Sequence, residues 1–108
     1  METKSVITAL AALAQESRLA IFRVLVQVGP SGLAAGQIAE RLNVAPSSLS
    51  FHLKELSHAR LITARHAGRF IIYSADFAVM NGLLAYLSEN CCGGESCLSI
   101  CDNPGESS

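Results

Sequence analysis

Four thiols crowd the end of this sequence. Cys91, Cys92, Cys97 and Cys101 fall within eleven residues, and no cysteine precedes them. Their order is CC-x4-C-x3-C, which departs from the paired C-x2-C arrangement typical of structural zinc. The N-terminus METKSVITALAAL has no basic n-region or convincing cleavage site, and no apolar run reaches the roughly 18 residues needed to span a bilayer. The expectation is a cytoplasmic protein with no membrane association. In that compartment disulfides are not the default, so clustered thiols point to a soft metal, a metalloid or redox chemistry.

A trivalent metalloid such as arsenite needs three thiolates. Each thiol displaces one hydroxide as water, and the lone pair on arsenic fills the remaining direction of a pyramid. Adjacent Cys91 and Cys92 offer a local chelate, and the Gly93-Gly94 link lets a third thiol fold back. Cys97 closes a shorter loop than Cys101, an advantage of only about 0.5 kcal/mol. Cys101 therefore stays open as the alternative third ligand. A four-thiolate zinc site, a disulfide switch and a tail that binds metals incidentally are the competing readings.

The rest of the chain must position such a site and give it something to control. At 108 residues it fits one domain, and with 50% hydrophobic and 16% charged residues it is apolar enough to imply a subunit interface as well as a core. The net charge of -1 is unevenly spread: all eight Lys and Arg lie at or before Arg69, against four acids there. From Asp76 onward there are five acids and no Lys or Arg. The first part can attract phosphate while the tail stays away from it.

Residues 3 to 14 put Val6, Leu10 and Leu13 at helical spacing, a stripe for either core packing or a dimer interface. ESRLAIFRVLVQV at 16 to 28 is apolar nearly all round and reads as a central core helix, stopped by Gly29, Pro30 and Gly32. A short helix over 35 to 42 shares Ile38, Ala39 and Leu42 on one face. The turn Asn43, Val44, Ala45 follows, and Pro46 suits the first position of the next helix, where its missing N–H has no partner to lose. In that helix Leu49, Leu53 and Leu56 fall at i, i+4 and i+7 and commit one stripe to a core. Ser47, Ser48, Ser50, Phe51 and Lys54 are left to solvent. Two short helices joined by a three-residue turn form a helix-turn-helix, whose second helix enters the DNA major groove. Its serines lie beside free N–H groups at the positive end of the helix dipole, where phosphate binds well.

Residues 61–65 and 69–73 are β-branched or aromatic runs separated by His66, Ala67 and Gly68, the pattern of a β-hairpin. Arg65, His66 and Arg69 are expected at its basic tip, a wing that meets DNA backbone or minor groove. Residues 76 to 90 read as a last helix with a stripe of Phe77, Met80, Leu84 and Leu87 widened by Leu83. Gly82 costs that helix about 1 kcal/mol relative to Ala, which predicts close approach of a second helix there. The fold class is thus mostly α with a β-hairpin: a dimeric winged helix-turn-helix of about five helices and a two-stranded wing. Residues 1–90 form the DNA-binding and dimerisation domain, and 91–108 a flexible cysteine-rich tail.

Over residues 3 to 90 the chain resembles the ArsR/SmtB family of metal-responsive repressors. The resemblance is carried by ALAQESRLAIFRVL at 12–25, QIAERLNVAPSSLSFHLKEL at 37–56 and ARHAGRFIIYS at 64–74, in the family's order and spacing. It implies a homodimer built from the first and last helices that represses its operator until a metal ion binds. Carried over by position, Ser47, Ser48, Ser50 and Phe51 fall where the family reads DNA, with His52 just behind them as a structural or phosphate-contacting residue. Phe51 is a departure, because the family more often has a polar or basic residue there. It would either touch a thymine methyl or pack against its own domain.

Family metal sites differ, and the sequence discriminates among them. Where some members carry a C-x-C before the recognition helix, this chain has Ala34 and Gly36. Where zinc sensors place histidines on the last helix, it has Asp76-Phe77-Ala78 and Ser88-Glu89-Asn90. The terminal thiols resemble those of arsenic-responsive members with vicinal cysteines at the end of the last helix. The expectation is a repressor of a metal(loid)-resistance operon that binds double-stranded operator DNA with inverted-repeat half-sites. Its inducer is As(III), with Sb(III) as a second candidate, held by Cys91, Cys92 and Cys97. Repressors of the same fold responsive to Cd, Pb or Zn, or to thiol oxidation, are the alternatives. No general base, phosphate cradle or cofactor motif accompanies the thiols, so no enzyme and no catalytic cofactor are expected.

Overall fold

The computed structural model describes residues 1–94. Of the expected tail over 91–108, residues 95–108, with Cys97 and Cys101, lie outside the described residues. The chain runs α1 (Thr3–Leu13), α2 (Glu16–Val28), β1 (Leu33–Ala34), α3 (Ala35–Leu42), α4 (Pro46–His58), β2 (Ile62–Ala67), β3 (Phe70–Ala75) and α5 (Phe77–Leu87), followed by a tight turn at Cys91–Gly94.

Helix ends follow local chemistry. Gln15 caps α2 by accepting the Arg18 N–H on its Oε1 at 2.8 Å, and Asp76 caps α5 by accepting the Val79 N–H at 3.1 Å. Gln37 Oε1 accepts the Ala34 N–H at 2.9 Å at the start of α3. Asn43 ends α3 in the left-handed conformation (φ 54°, ψ 48°), which a short polar side chain tolerates better than most. Pro46 then opens α4, as its sequence position predicts.

The core is assembled around α2, which lies against α1, α3, α4 and β3. Ile21 and Leu25 from α2, Ile38 from α3, Leu49 and Leu56 from α4, and Leu61 leading into β2 are the largest fully buried side chains. Each contributes roughly 1.5–3 kcal/mol through removal from water. The expected stripe of α4 is thus the one that is buried, which leaves its opposite face free.

The expected two-stranded wing is the hairpin of β2 and β3, and a third strand that the sequence did not signal joins it, giving the antiparallel order β1-β3-β2. The two residues of β1 carry no periodicity of their own; they are strand because Leu33 pairs with Tyr73 and Ala34 with Ile72. The hairpin strands also run further than expected, to Ala67 and from Phe70, so the turn is Gly68-Arg69, with Gly68 supplying a φ of 65°.

On α1 the buried positions are Val6, Ala9 and Ala12, while Leu10 and Ile7 are 40% and 61% exposed. On α5 Leu83 is buried, Phe77, Val79, Met80 and Tyr86 pack against the core, and Leu84 and Leu87 stay 57% and 58% exposed. Both helices are apolar on more than one side, so spacing alone could not say which side this chain covers. Gly82 lies beside the Met1 side chain, at an ordinary 3.6 Å from an added Cβ to its sulfur, and not against a second helix within the chain. A hydrogen bond of 2.6 Å between Thr3 Oγ1 and the Tyr86 hydroxyl ties the start of α1 to the end of α5. No helix among the described residues is long and apolar enough to cross a membrane.

Candidate nucleic-acid interface and thiol site

With Leu49, Leu53 and Leu56 buried, helical geometry turns Ser47, Ser48, Ser50, Phe51 and Lys54 outward, and all five are exposed. Phe51 is 55% exposed and does not join the domain's core. Its ring meets His52 edge-on, centroids 5.7 Å apart and planes at 63°.

His52 is half-buried on the flank of α4 and held from behind. Arg18, on α2, donates from Nε to the Ala12 carbonyl at 2.6 Å and places Nη1 3.4 Å from His52 Nδ1. A guanidinium can only donate, so Nδ1 must accept, which leaves the ring proton on Nε2 as a donor. Arg18 thus joins the end of α1 to the recognition helix. Sequence reasoning assigned it no role; the signal was there, as a cation in the apolar stretch ESRLAIFRVL.

The wing separates the three basic residues expected to cluster at its tip. Arg65 pairs with Ile72 in the ladder, and its guanidinium folds back to the loop before β1, donating to the Ser31 carbonyl at 2.9 Å and the Pro30 carbonyl at 3.4 Å. Alternation along β2 sends His66 to the opposite face. Arg69 sits in the turn itself, and all three residues remain exposed. Gly32, in that same loop, allows the approach: with φ 68°, a Cβ there would overlap the Tyr73 carbonyl oxygen and press on Ile72.

At the other end of the sequence α5 stops at Leu87. Asn90 (φ 57°), Cys92 (φ 57°) and Gly93 (φ 71°) all take left-handed values and fold the chain back on itself. The turn brings Cys91 Sγ and Cys92 Sγ to 3.4 Å, a hydrogen-bond distance well beyond the roughly 2.05 Å of a disulfide. Cys91 is half-buried and Cys92 exposed. The turn thus places two adjacent thiols within reach of one ion. Among the described residues no group of three or more His, Cys, Asp or Glu could hold a metal; the expected third ligands, Cys97 and Cys101, fall outside them.

Comparison with known proteins bears on the fold and the family. A helix-turn-helix domain family matches residues 13–65. The arsenical resistance operon repressor of Bacillus subtilis (strain 168) is 38% identical over 81 residues, covering 75% of this chain and 73% of that protein. An ArsR-like transcriptional regulator from Rhodococcus sp. RHA1 superposes with a TM-score of 0.73 at 27% identity, over 97% of this chain and 96% of that one. The chain belongs to the ArsR family of winged-helix transcriptional regulators. A homodimeric winged helix-turn-helix DNA-binding domain from Mycobacterium bovis shares the ArsR fold at TM-score 0.64 and 27% identity, with 81% of each chain covered. The chain spans between 57% and 73% of the length of the curated relatives it matches. These relatives are regulators of transcription and not enzymes.

Proposed function

We propose that this ArsR-family protein is a homodimeric repressor of a metal(loid)-resistance operon, released from its operator when As(III), or Sb(III), binds Cys91, Cys92 and a third thiolate. Cys97 is the preferred third ligand, with Cys101 as its competitor. The observation that carries the reading is the 3.4 Å sulfur pair at the end of α5. The relative named for arsenical resistance supports the same inducer class.

The dimer would form from α1 and α5, whose outer faces leave Ile7, Leu10, Leu84 and Leu87 in water. The homodimeric neighbour supports this assembly. Two recognition helices would then enter successive major grooves about 34 Å apart, on an inverted repeat. Ser47, Ser48, Ser50, Phe51 and Lys54 would face the groove with His52 behind them as a structural or phosphate-contacting residue, while Arg65, His66 and Arg69 would serve the wing. Of these wing residues Arg69 is the one placed in the turn, so it is the cation assigned to the minor groove.

A continuous mechanical route is available between the sites. Cys91 and Cys92 lie in the turn just beyond α5; Tyr86 of α5 bonds Thr3 of α1; and Ala12 at the far end of α1 bonds Arg18, which reaches His52 on α4. An ion that reorders the end of α5 would shift α1 and with it the recognition helix. Coupling of this kind is typically worth about 5- to 150-fold in affinity and must be reciprocal.

The test is an anisotropy titration of reduced protein on DNA from its own promoter, with arsenite, antimonite, cadmium and zinc added in turn. Release by arsenite, and arsenite affinity reduced by the same factor when operator is bound, are the expected results. Equal arsenite affinity with and without operator would overturn the mechanism. Release by cadmium or zinc in preference to arsenite would move the inducer to those metals, and release by added peroxide, reversed by reductant, would make the trigger oxidation.

A further inference from the structure

We propose that Phe51 reads a thymine 5-methyl group in each operator half-site. The inference rests on the assignment of α4 as the DNA-reading helix and adds to it the chemistry of one base contact.

Over residues 47–54 the outward face of α4 carries three hydroxyls, one ammonium and one phenyl ring: Ser47, Ser48, Ser50, Lys54 and Phe51. It holds no carboxamide to pair bidentately with adenine and no guanidinium to pair bidentately with guanine. The largest side chain on the surface is therefore the one that cannot hydrogen-bond. It is 55% exposed, so the domain's own packing does not account for it. Among the base edges of the major groove, one group is apolar, the C5-methyl of thymine. A phenyl ring entering that groove gains by covering this methyl and loses against any other edge, where it would strip water from donors and acceptors without replacing them.

The ring is also supported from behind. Its edge contact with His52, at 5.7 Å between centroids, is backed by the Arg18 hydrogen bond to His52, so the contact costs little additional ordering on binding. Phe70 and Ile71, 63% and 41% exposed, are large apolar side chains of the wing. They lie in the wing ladder opposite Ala67 and His66 and not on the recognition helix, so they do not compete for this base.

The experiment replaces each operator thymine in turn by deoxyuridine, which removes only the methyl group, and measures binding of wild type and Phe51→Ala. At one thymine per half-site the wild type should lose about fourfold in affinity, and about fifteenfold when both half-sites are substituted. Phe51→Ala should bind the thymine operator more weakly and be indifferent to uracil there, while Phe51→Leu should regain part of the discrimination. Because Phe51 is outside the core, circular dichroism of the variants should match wild type. Indifference of the wild type to uracil at every position, in an otherwise tight and specific complex, would overturn this inference alone. So would a loss in Phe51→Ala equal to that in wild type. Failure of wild type to bind any promoter fragment specifically would instead overturn the DNA-reading assignment beneath it.

Discussion

A guanidinium has five donors and no acceptor, so the partners of Arg18 are set by the lone pairs it can reach: the Ala12 carbonyl and His52 Nδ1. Arg18→Met keeps the apolar stem and deletes the donors. Loss of these charge-assisted bonds should cost about 1.5 kcal/mol in urea denaturation. Nitrogen NMR of His52 should show a mixture of tautomers in place of the Nε2–H form, and operator affinity should fall several-fold. An unchanged His52 spectrum would show that the contact does not fix the ring. At the thiols the expectation is the opposite pattern. Cys91→Ser and Cys92→Ser should leave operator affinity within about twofold of wild type and abolish the arsenite response, because both residues follow α5, outside the helix-turn-helix and the wing, and supply two of the proposed three bonds. A retained response in either variant would remove the vicinal pair from the site.

The elements show where sequence patterns are decisive and where they are silent. The stripe Leu49, Leu53, Leu56 is apolar on one side only, so burial of α4 had one solution and the outward serines followed from it. The strand β1 had no such pattern. It exists because Gly32 lets the loop after α2 come close enough for Leu33 to pair with Tyr73. Gly32→Ala combines a positive φ that alanine resists with overlap on the Tyr73 carbonyl, and should destabilise the protein by about 2 kcal/mol or more. For a chain of this size that is roughly a 10 °C drop in Tm, measurable by calorimetry. A smaller shift would mean that β1 detaches without consequence. The wing gives a similar lesson: Arg65 and Arg69 look equivalent in sequence, but one guanidinium is engaged with Pro30 and Ser31 and the other sits in the turn.

At the scale of the whole molecule, the apolar excess of the composition reappears as Ile7, Leu10, Leu84 and Leu87 on α1 and α5. Four large apolar side chains left in water on the helices proposed for the dimer call for a partner face of the same kind. The pair Leu84→Glu with Leu87→Glu should therefore give a folded monomer by sedimentation, with operator binding reduced by at least two orders of magnitude because a single recognition helix cannot span two half-sites. A dimer of undiminished stability would place the interface elsewhere. The charge asymmetry also acts at this scale. Every Lys and Arg lies at or before Arg69, so the acidic end of the sequence adds no phosphate contacts and the salt dependence of binding should be modest.

The helix-turn-helix and the hairpin were legible in the sequence because each rests on a local signal: a one-sided apolar stripe, a proline at the first helical position, a glycine at a turn. Those features need nothing from distant residues to be specified. The phase of α1 and α5 was not legible, since helices apolar on more than one side pack equally well by pattern in several rotations, and only contact with the assembled core selects one. The third strand, the capture of Arg65 by the Pro30 and Ser31 carbonyls, and the Arg18 bridge to His52 likewise belong to the tertiary structure. Each joins residues more than thirty positions apart, and such pairings are fixed by the geometry of the assembled core rather than by any preference of the segments themselves.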